Sequence, residues 1–311
     1  MEILTQKKSR NSFIELYRFL FAMWVVYYHG YFFLPKTHLF SNGYLSVDFF
    51  FMLTGFFLMT TFIKLKDYPF WKGVGTLIWK KLKPLGITLI IAVIFAQIYF
   101  WLNISTPGSL LGYMWYIEWL IVVPAFYYAI YRWVKNSKKF YIIIGCIVVI
   151  SYVLLNTVCQ GWGVFRGTCG IGIGILISLI PKNKWKIGKF NINVLISILL
   201  ITFAVVCACF RTYIPNGDHL FILGLFPCLL YFASCTNVNA PVFNYLGGLS
   251  FGLYGYQTIC RVLETLSILN DKDNCLELFL IIVVLTVLDD AIKSIVRHYK
   301  NKRLITNKQK G

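Results

Sequence analysis

Apolar runs of near-membrane length recur from one end of the chain to the other, separated by short polar turns. Ten can be drawn, at 13–33, 45–63, 85–104, 113–131, 140–158, 167–180, 192–210, 219–235, 249–268 and 276–296. A helix needs about 20 apolar residues to cross a hydrocarbon core of about 30 Å. The sixth run is short and glycine-rich, and Gln257, Arg261 and Glu264 interrupt the ninth. The pattern predicts an all-α, polytopic integral membrane protein with about ten transmembrane helices. No long polar segment breaks the series, so residues 13–298 read as one membrane domain, flanked by basic ends at 1–12 and 299–311. Ordinary turn residues mark two of the breaks, Ser105-Thr106-Pro107-Gly108 and Asn216-Gly217-Asp218.

Composition agrees. Of 311 residues, 58% are hydrophobic and 18% aromatic, and a mean hydropathy of +0.69 excludes an ordinary soluble domain. A net charge of +18 would suggest nucleic acid in a soluble protein, but its placement points elsewhere. With the N-terminus inside, 24 of the 30 Lys and Arg fall on the cytoplasmic side, at 7–10, 64–83, 132–139, 182–189 and 293–310. Lys36, Arg166, Arg211 and Lys272 fall outside, and Arg18 and Arg261 lie within spans. That bias follows the positive-inside rule and predicts both termini in the cytoplasm. The chain therefore reads as a multi-pass protein of the cell membrane, with lipids and not nucleic acid as its charged partners. Lys7, Lys8 and Arg10 precede an apolar run as in a signal peptide, but Glu15 and Arg18 interrupt it, so an uncleaved first span is expected.

The chemistry lies in the ionisable groups placed at membrane depth, which are costly there and mark function by default. In the first run, Arg18 and His29 are eleven residues apart, which places them almost on one helical face and about 16 Å apart along the axis. Glu15 lies within about 40° of the same line and is spaced i,i+3 from Arg18, so the two can pair. Asp48 opens the second span across a short outer loop from His29. It can hold an imidazole in one tautomer, or serve only as an acid at a helix N-terminus. Glu118 sits in the fourth span beside Trp115 and Tyr116. Gln257 and Arg261 share a face of the ninth span, and Asp289 and Asp290 lie in the tenth; each can line a cavity or bridge helices. Lys80, Lys81 and Lys83 cluster before Pro84 and can meet lipid headgroups or a phosphorylated ligand. The nine cysteines form no CxxC pair and the four histidines show no ligand spacing, so no metal site is expected.

Taken together, these segments resemble the acyltransferase 3 family of integral membrane acyltransferases, from about residue 12 to 298. The sharpest match is arginine, ten residues, histidine, carried by Arg18 and His29. The run Val47-Asp48-Phe49-Phe50-Phe51-Met52-Leu53-Thr54-Gly55-Phe56-Phe57-Leu58 is similar to the family's second-span segment. The lysines before Pro84 resemble its Arg-rich stretch before a proline. Met114-Trp115-Tyr116-Ile117 resembles its Trp-Tyr-Leu segment, and Leu246-Gly247-Gly248-Leu249-Ser250-Phe251-Gly252-Leu253-Tyr254 its late Leu-Gly-x-x-Ser-Tyr segment. Departures are Thr54 in place of serine, lysines for arginines, which forgoes bidentate phosphate contacts, and Gln257 where many members carry a second histidine. Many relatives also carry a soluble esterase-like domain after the last span, where this sequence has a short basic tail.

The resemblance implies transfer of an acyl group, expected to be acetyl, from acyl-coenzyme A to a hydroxyl of a cell-envelope glycan or a lipid-linked sugar. Under that expectation His29 is the base or transient acyl carrier, Asp48 orients it, and Arg18 with Lys80, Lys81 and Lys83 holds the donor's phosphates. Glu15, Glu118, Trp115, Tyr116, Gln257 and Arg261 are candidate cavity residues. A transporter or flippase of a glycan intermediate is the alternative. Ten spans with interior charges suit it, although no inverted repeat is visible.

Overall fold

Asn11 starts the first helix. Its side-chain oxygen accepts hydrogen bonds from the backbone N–H groups of Phe13 and Ile14 at 3.1 and 3.2 Å, while its amide nitrogen donates to the carbonyls of Ala233 and Thr236. One residue thus satisfies orphan donors at a helix start and pins that start to the end of a helix more than 200 positions away. The computed structural model describes residues 11–30, 42–103, 115–134, 136–159, 163–187, 190–209, 217–236, 238–265 and 275–309.

Single helices occupy nine of the ten apolar runs: α1 (Ser12–Gly30), α2 (Ser46–Leu65), α4 (Gly86–Asn103), α5 (Trp115–Trp133), α6 (Ser137–Asn156), α7 (Gly163–Ile177), α8 (Ile192–Cys209), α11 (Pro241–Thr265) and α12 (Cys275–Gln309). The eighth run folds as α9 (Gly217–His219), a π-helical turn (Leu220–Leu225) and α10 (Phe226–Ser234) in succession. Gly43–Leu65 and Ser137–Asn156 are each long and apolar enough to cross a bilayer, and Gly163–Ile177, Ile192–Cys207 and Leu220–Ser234 are shorter apolar helices. Two features depart from the sequence reading. The basic stretch 64–83, read only as a cytoplasmic segment, contains an amphipathic helix, α3 (Phe70–Leu82). A two-residue antiparallel ladder, β1 (Lys186–Ile187) with β2 (Phe190–Asn191), precedes α8.

Contacts fix the relative directions of the helices. In α1 and α11, Ser12 Oγ lies 3.2 Å from Asn244 Oδ1 and Glu15 packs on Gly247, so the two run parallel. Phe21 on Phe226 and Asn11 on Ala233 make α10 antiparallel to α1. The α2–α7 pair is also parallel, and it is close because the glycines of α7 allow it. A Cβ on Gly174 would lie 1.9 Å from the Met52 carbonyl oxygen, and one on Gly55 equally near that of Ile171. Small residues that let backbones approach are the usual basis of helix contact in lipid, where apolar side chains gain little from leaving the solvent. This explains the glycine-rich sixth run: its glycines form a helix interface.

The outward faces are apolar. On α6, Ile142, Val149, Ile150 and Val153 are exposed, a surface suited to hydrocarbon and not to water. Inside lie tightly packed aromatics, with Tyr17, Phe21, Phe49, Tyr127 and Tyr128 almost wholly buried. Three of the buried tyrosines have partners for their hydroxyls: Tyr17 donates to the Ser197 carbonyl at 2.8 Å, Tyr127 to that of Thr168 at 2.7 Å and Tyr128 to that of Leu65 at 2.9 Å.

Candidate functional site

Glu15 and Arg18 meet as the i,i+3 spacing predicts, with the guanidinium 2.7 Å from the carboxylate. Glu15 is buried and Arg18 remains partly open, because Arg18 projects into a cavity of about 230 Å³. α1 contributes Glu15 and Arg18 to the wall, α2 contributes Val47, Phe50, Leu53, Thr54 and Phe57, and α5 contributes Tyr116 and Leu120. Ser250, Phe251 and Tyr254 come from α11, and Lys81 with Leu85 comes from the junction of α3 and α4.

α3 explains how one lysine of three reaches this cavity. Gly73 and Leu77 are buried and face α5, where a Cβ on Gly73 would strike the Tyr128 ring. Lys81 lies one helical turn beyond Leu77 on that inward face, whereas Lys80 and Lys83 are exposed. Gly86, with φ of +49°, then turns the chain into α4, a backbone state that glycine adopts without strain. Arg132 braces the α2–α3 connection by donating to the carbonyls of Lys66 and Tyr68 at 2.8 and 2.7 Å. Burial, and then the Arg18 guanidinium, push the Lys81 ammonium down to about 8. Two cations and one carboxylate thus line a common space.

The other expected residues divide. Tyr116 lines the cavity, packed against Phe51 and Tyr254. Trp115 turns instead to Arg166, whose guanidinium sits 5.3 Å from its ring. Glu118 is half-buried and outside the cavity wall. His29 and Arg261 lie within α1 and α11, but their side chains fall outside the described residues. Asp289 bridges helices: it accepts from Thr88 at 2.5 Å and Lys293 at 2.7 Å, joining α12 to α4.

Asp48 has a partner that the sequence reading did not supply. Arg166 binds both carboxylate oxygens, Nη2 to Oδ2 at 2.6 Å and Nε to Oδ1 at 3.2 Å, and donates to the Tyr44 carbonyl at 2.9 Å. Tyr44 in turn donates to Asp218, and Tyr152 pairs with His219. Arg166 was counted as an outer-loop topology charge; it is instead the first turn of α7 and locks α7 onto α2. Only a carboxylate placed at depth with no local partner signalled the need for such a cation.

Five segments far apart in sequence therefore converge on one cavity: the Arg18 run, the Val47–Leu58 run, the lysine cluster, the Trp115–Ile117 run and the Leu246–Tyr254 run. Neither the curated proteins nor the solved structures hold a match to this chain. The model of the acyltransferase 3 family, described as an acyltransferase domain, matches residues 11–288. The segments that carried the resemblance are the same ones that build the cavity, the match covers most of the chain, and the chain belongs to the acyltransferase 3 family.

Proposed function

We propose that this chain is a multi-pass enzyme of the cell membrane, with ten spans and both termini cytoplasmic, that moves an acyl group from acyl-coenzyme A to a hydroxyl of an envelope glycan or lipid-linked sugar. The observation that carries the reading is the convergence of Arg18 and Lys81 on one cavity. Burial first, and then the neighbouring Arg18 charge, lower the proton affinity of Lys81 in that space. A bound phosphate would offset that lowering, because an anion between two cations favours the charged form of both. Lys80 and Lys83, exposed at the end of α3, would draw the polyanionic donor toward the mouth.

The chemistry follows from this placement. The donor's thioester carbonyl is attacked by an acceptor hydroxyl; a C–O bond forms, the C–S bond breaks and the acyl group changes carrier. The hydroxyl proton passes to a base and then to the departing thiolate. His29 is the base in this scheme, eleven residues along α1 from Arg18 and about 16 Å farther along its axis. The donor's pantetheine arm would span that gap. Asp48, held by Arg166, keeps α2 and α7 fixed at that end of the bundle. A static Asp48–Arg166 pair suits a scaffold better than a proton relay.

The test is transfer of radiolabelled acetyl from acetyl-coenzyme A to envelope glycan by the purified chain in lipid. Label on the glycan, lost in folded Arg18→Ala and His29→Ala, is the expected result. Near-wild-type rates in both variants would sink the assignment. Glycan crossing the bilayer without gaining label would favour a transporter.

A further inference from the structure

Gln257 is 3% exposed, and neither its amide nitrogen nor its amide oxygen has a hydrogen-bond partner among the described residues. Burying a carboxamide unsatisfied is costly, and each such group in a native structure calls for an explanation. Its position supplies one. Ser250 and Tyr254 line the cavity from α11, and Gln257 follows Tyr254 by three residues, continuing the same helical stripe. Ser250 to Gln257 is seven residues, about 10 Å along the axis. Because α1 and α11 run parallel in the register of Ser12 with Asn244 and Glu15 with Gly247, Ser250 lies level with Arg18 and Gln257 with Val25. Gln257 therefore stands between the Arg18 level and the His29 level.

We propose that Gln257 holds a secondary amide of the donor's pantetheine arm, an inference that rests on the acyl-coenzyme A reading above. Among the parts of the donor, the chemistry of the orphaned group selects the amides. A carboxamide with both ends unpaired needs a donor and an acceptor together. A phosphate or a thioester carbonyl can only accept, whereas an amide of the pantetheine arm offers an N–H and a C=O. The arm carries two such amides, and in this reading it runs from phosphates at Arg18 and Lys81 toward His29. Gln257 is thus a donor-binding residue with no part in proton transfer.

The experiment titrates the full-length chain in lipid nanodiscs with two probes: coenzyme A, and 3′-phosphoadenosine 5′-diphosphate, which keeps the phosphates but lacks the arm. Wild-type protein should bind both. Gln257→Leu should weaken coenzyme A tenfold or more, leave the nucleotide unchanged and unfold at no lower temperature, since leucine leaves no buried polar atom unpaired. Gln257→Met makes the same comparison should the leucine variant fail to insert. Equal coenzyme A affinity in variant and wild type, or equal losses for both probes, would overturn the assignment while leaving the acyl-coenzyme A reading intact. Wild-type protein that binds neither probe would overturn that reading and this inference with it.

Discussion

Replacing Lys81 with arginine isolates the electrostatics of the cavity. Lys81 titrates near 8 where it would ordinarily titrate at 10.5, chiefly because burial disfavours its charge and secondarily because Arg18 repels it. At about 1.4 kcal/mol per pH unit, that shift corresponds to roughly 3 kcal/mol working against the ammonium. The sign follows from the lowered value. Below about pH 8 the folded protein carries the disfavoured charge; between 8 and 10.5 the unfolded chain binds more protons than the folded one, so the Lys81 contribution to stability improves as pH rises through that window. Anion binding moves the opposite way, because it needs the ammonium. Coenzyme A affinity should be nearly flat below pH 7.5 and fall about tenfold between pH 7 and pH 9, as the charged fraction drops from about nine-tenths to about one-tenth. In Lys81→Arg the guanidinium stays protonated throughout, so the affinity should remain flat to pH 9.5. Titration calorimetry at fixed ionic strength measures both. Identical pH profiles for wild type and Lys81→Arg would refute the reasoning.

Three further outcomes follow from the packing. Arg166→Met strips the Asp48 carboxylate of its partner in a buried setting and should cost about 3–5 kcal/mol, whereas the double change with Asp48→Leu should recover much of that loss; thermal unfolding in detergent compares them. Gly174→Val should abolish insertion or folding, since even a Cβ there meets the Met52 carbonyl at 1.9 Å, while Gly145→Ala, with open space around it, should be neutral or stabilise by up to about 1 kcal/mol; protease protection in membranes reports both. Asp289→Asn should loosen the α4–α12 contact through Thr88 and Lys293 by about 1–3 kcal/mol, read as faster hydrogen exchange in those two helices.

Much of this architecture was legible in the residue pattern. Each of the ten apolar runs is helical in the structure, although α11 begins well before its run and α12 continues well beyond its own. The i,i+3 spacing of Glu15 and Arg18 is the spacing at which they pair, and Tyr116 is among the residues that line the cavity. What stayed hidden was tertiary. Arg166 sits 118 positions from Asp48, and nothing local distinguishes it from a loop charge. Lys80, Lys81 and Lys83 are equivalent in sequence, and only the phase of α3 against α5 selects Lys81. That helix itself was masked by its lysines, whose charge spoke louder than the Phe70–Gly73–Leu77 periodicity beneath it. Gln257 is visible in the sequence as a polar interruption of an apolar run, but its lack of a hydrogen-bond partner among the described residues is a property of the folded interior.

The most direct test of the central claim is photo-crosslinking with a coenzyme A analogue carrying a diazirine on its adenine, beside the phosphates, followed by peptide mass mapping of the full chain in lipid. Labelled peptides should come from α1, α2, α5 and α11 around the Arg18–Lys81 cavity, and excess coenzyme A should suppress the labelling. Label confined to other surfaces, or label that excess coenzyme A does not displace, would contradict the account.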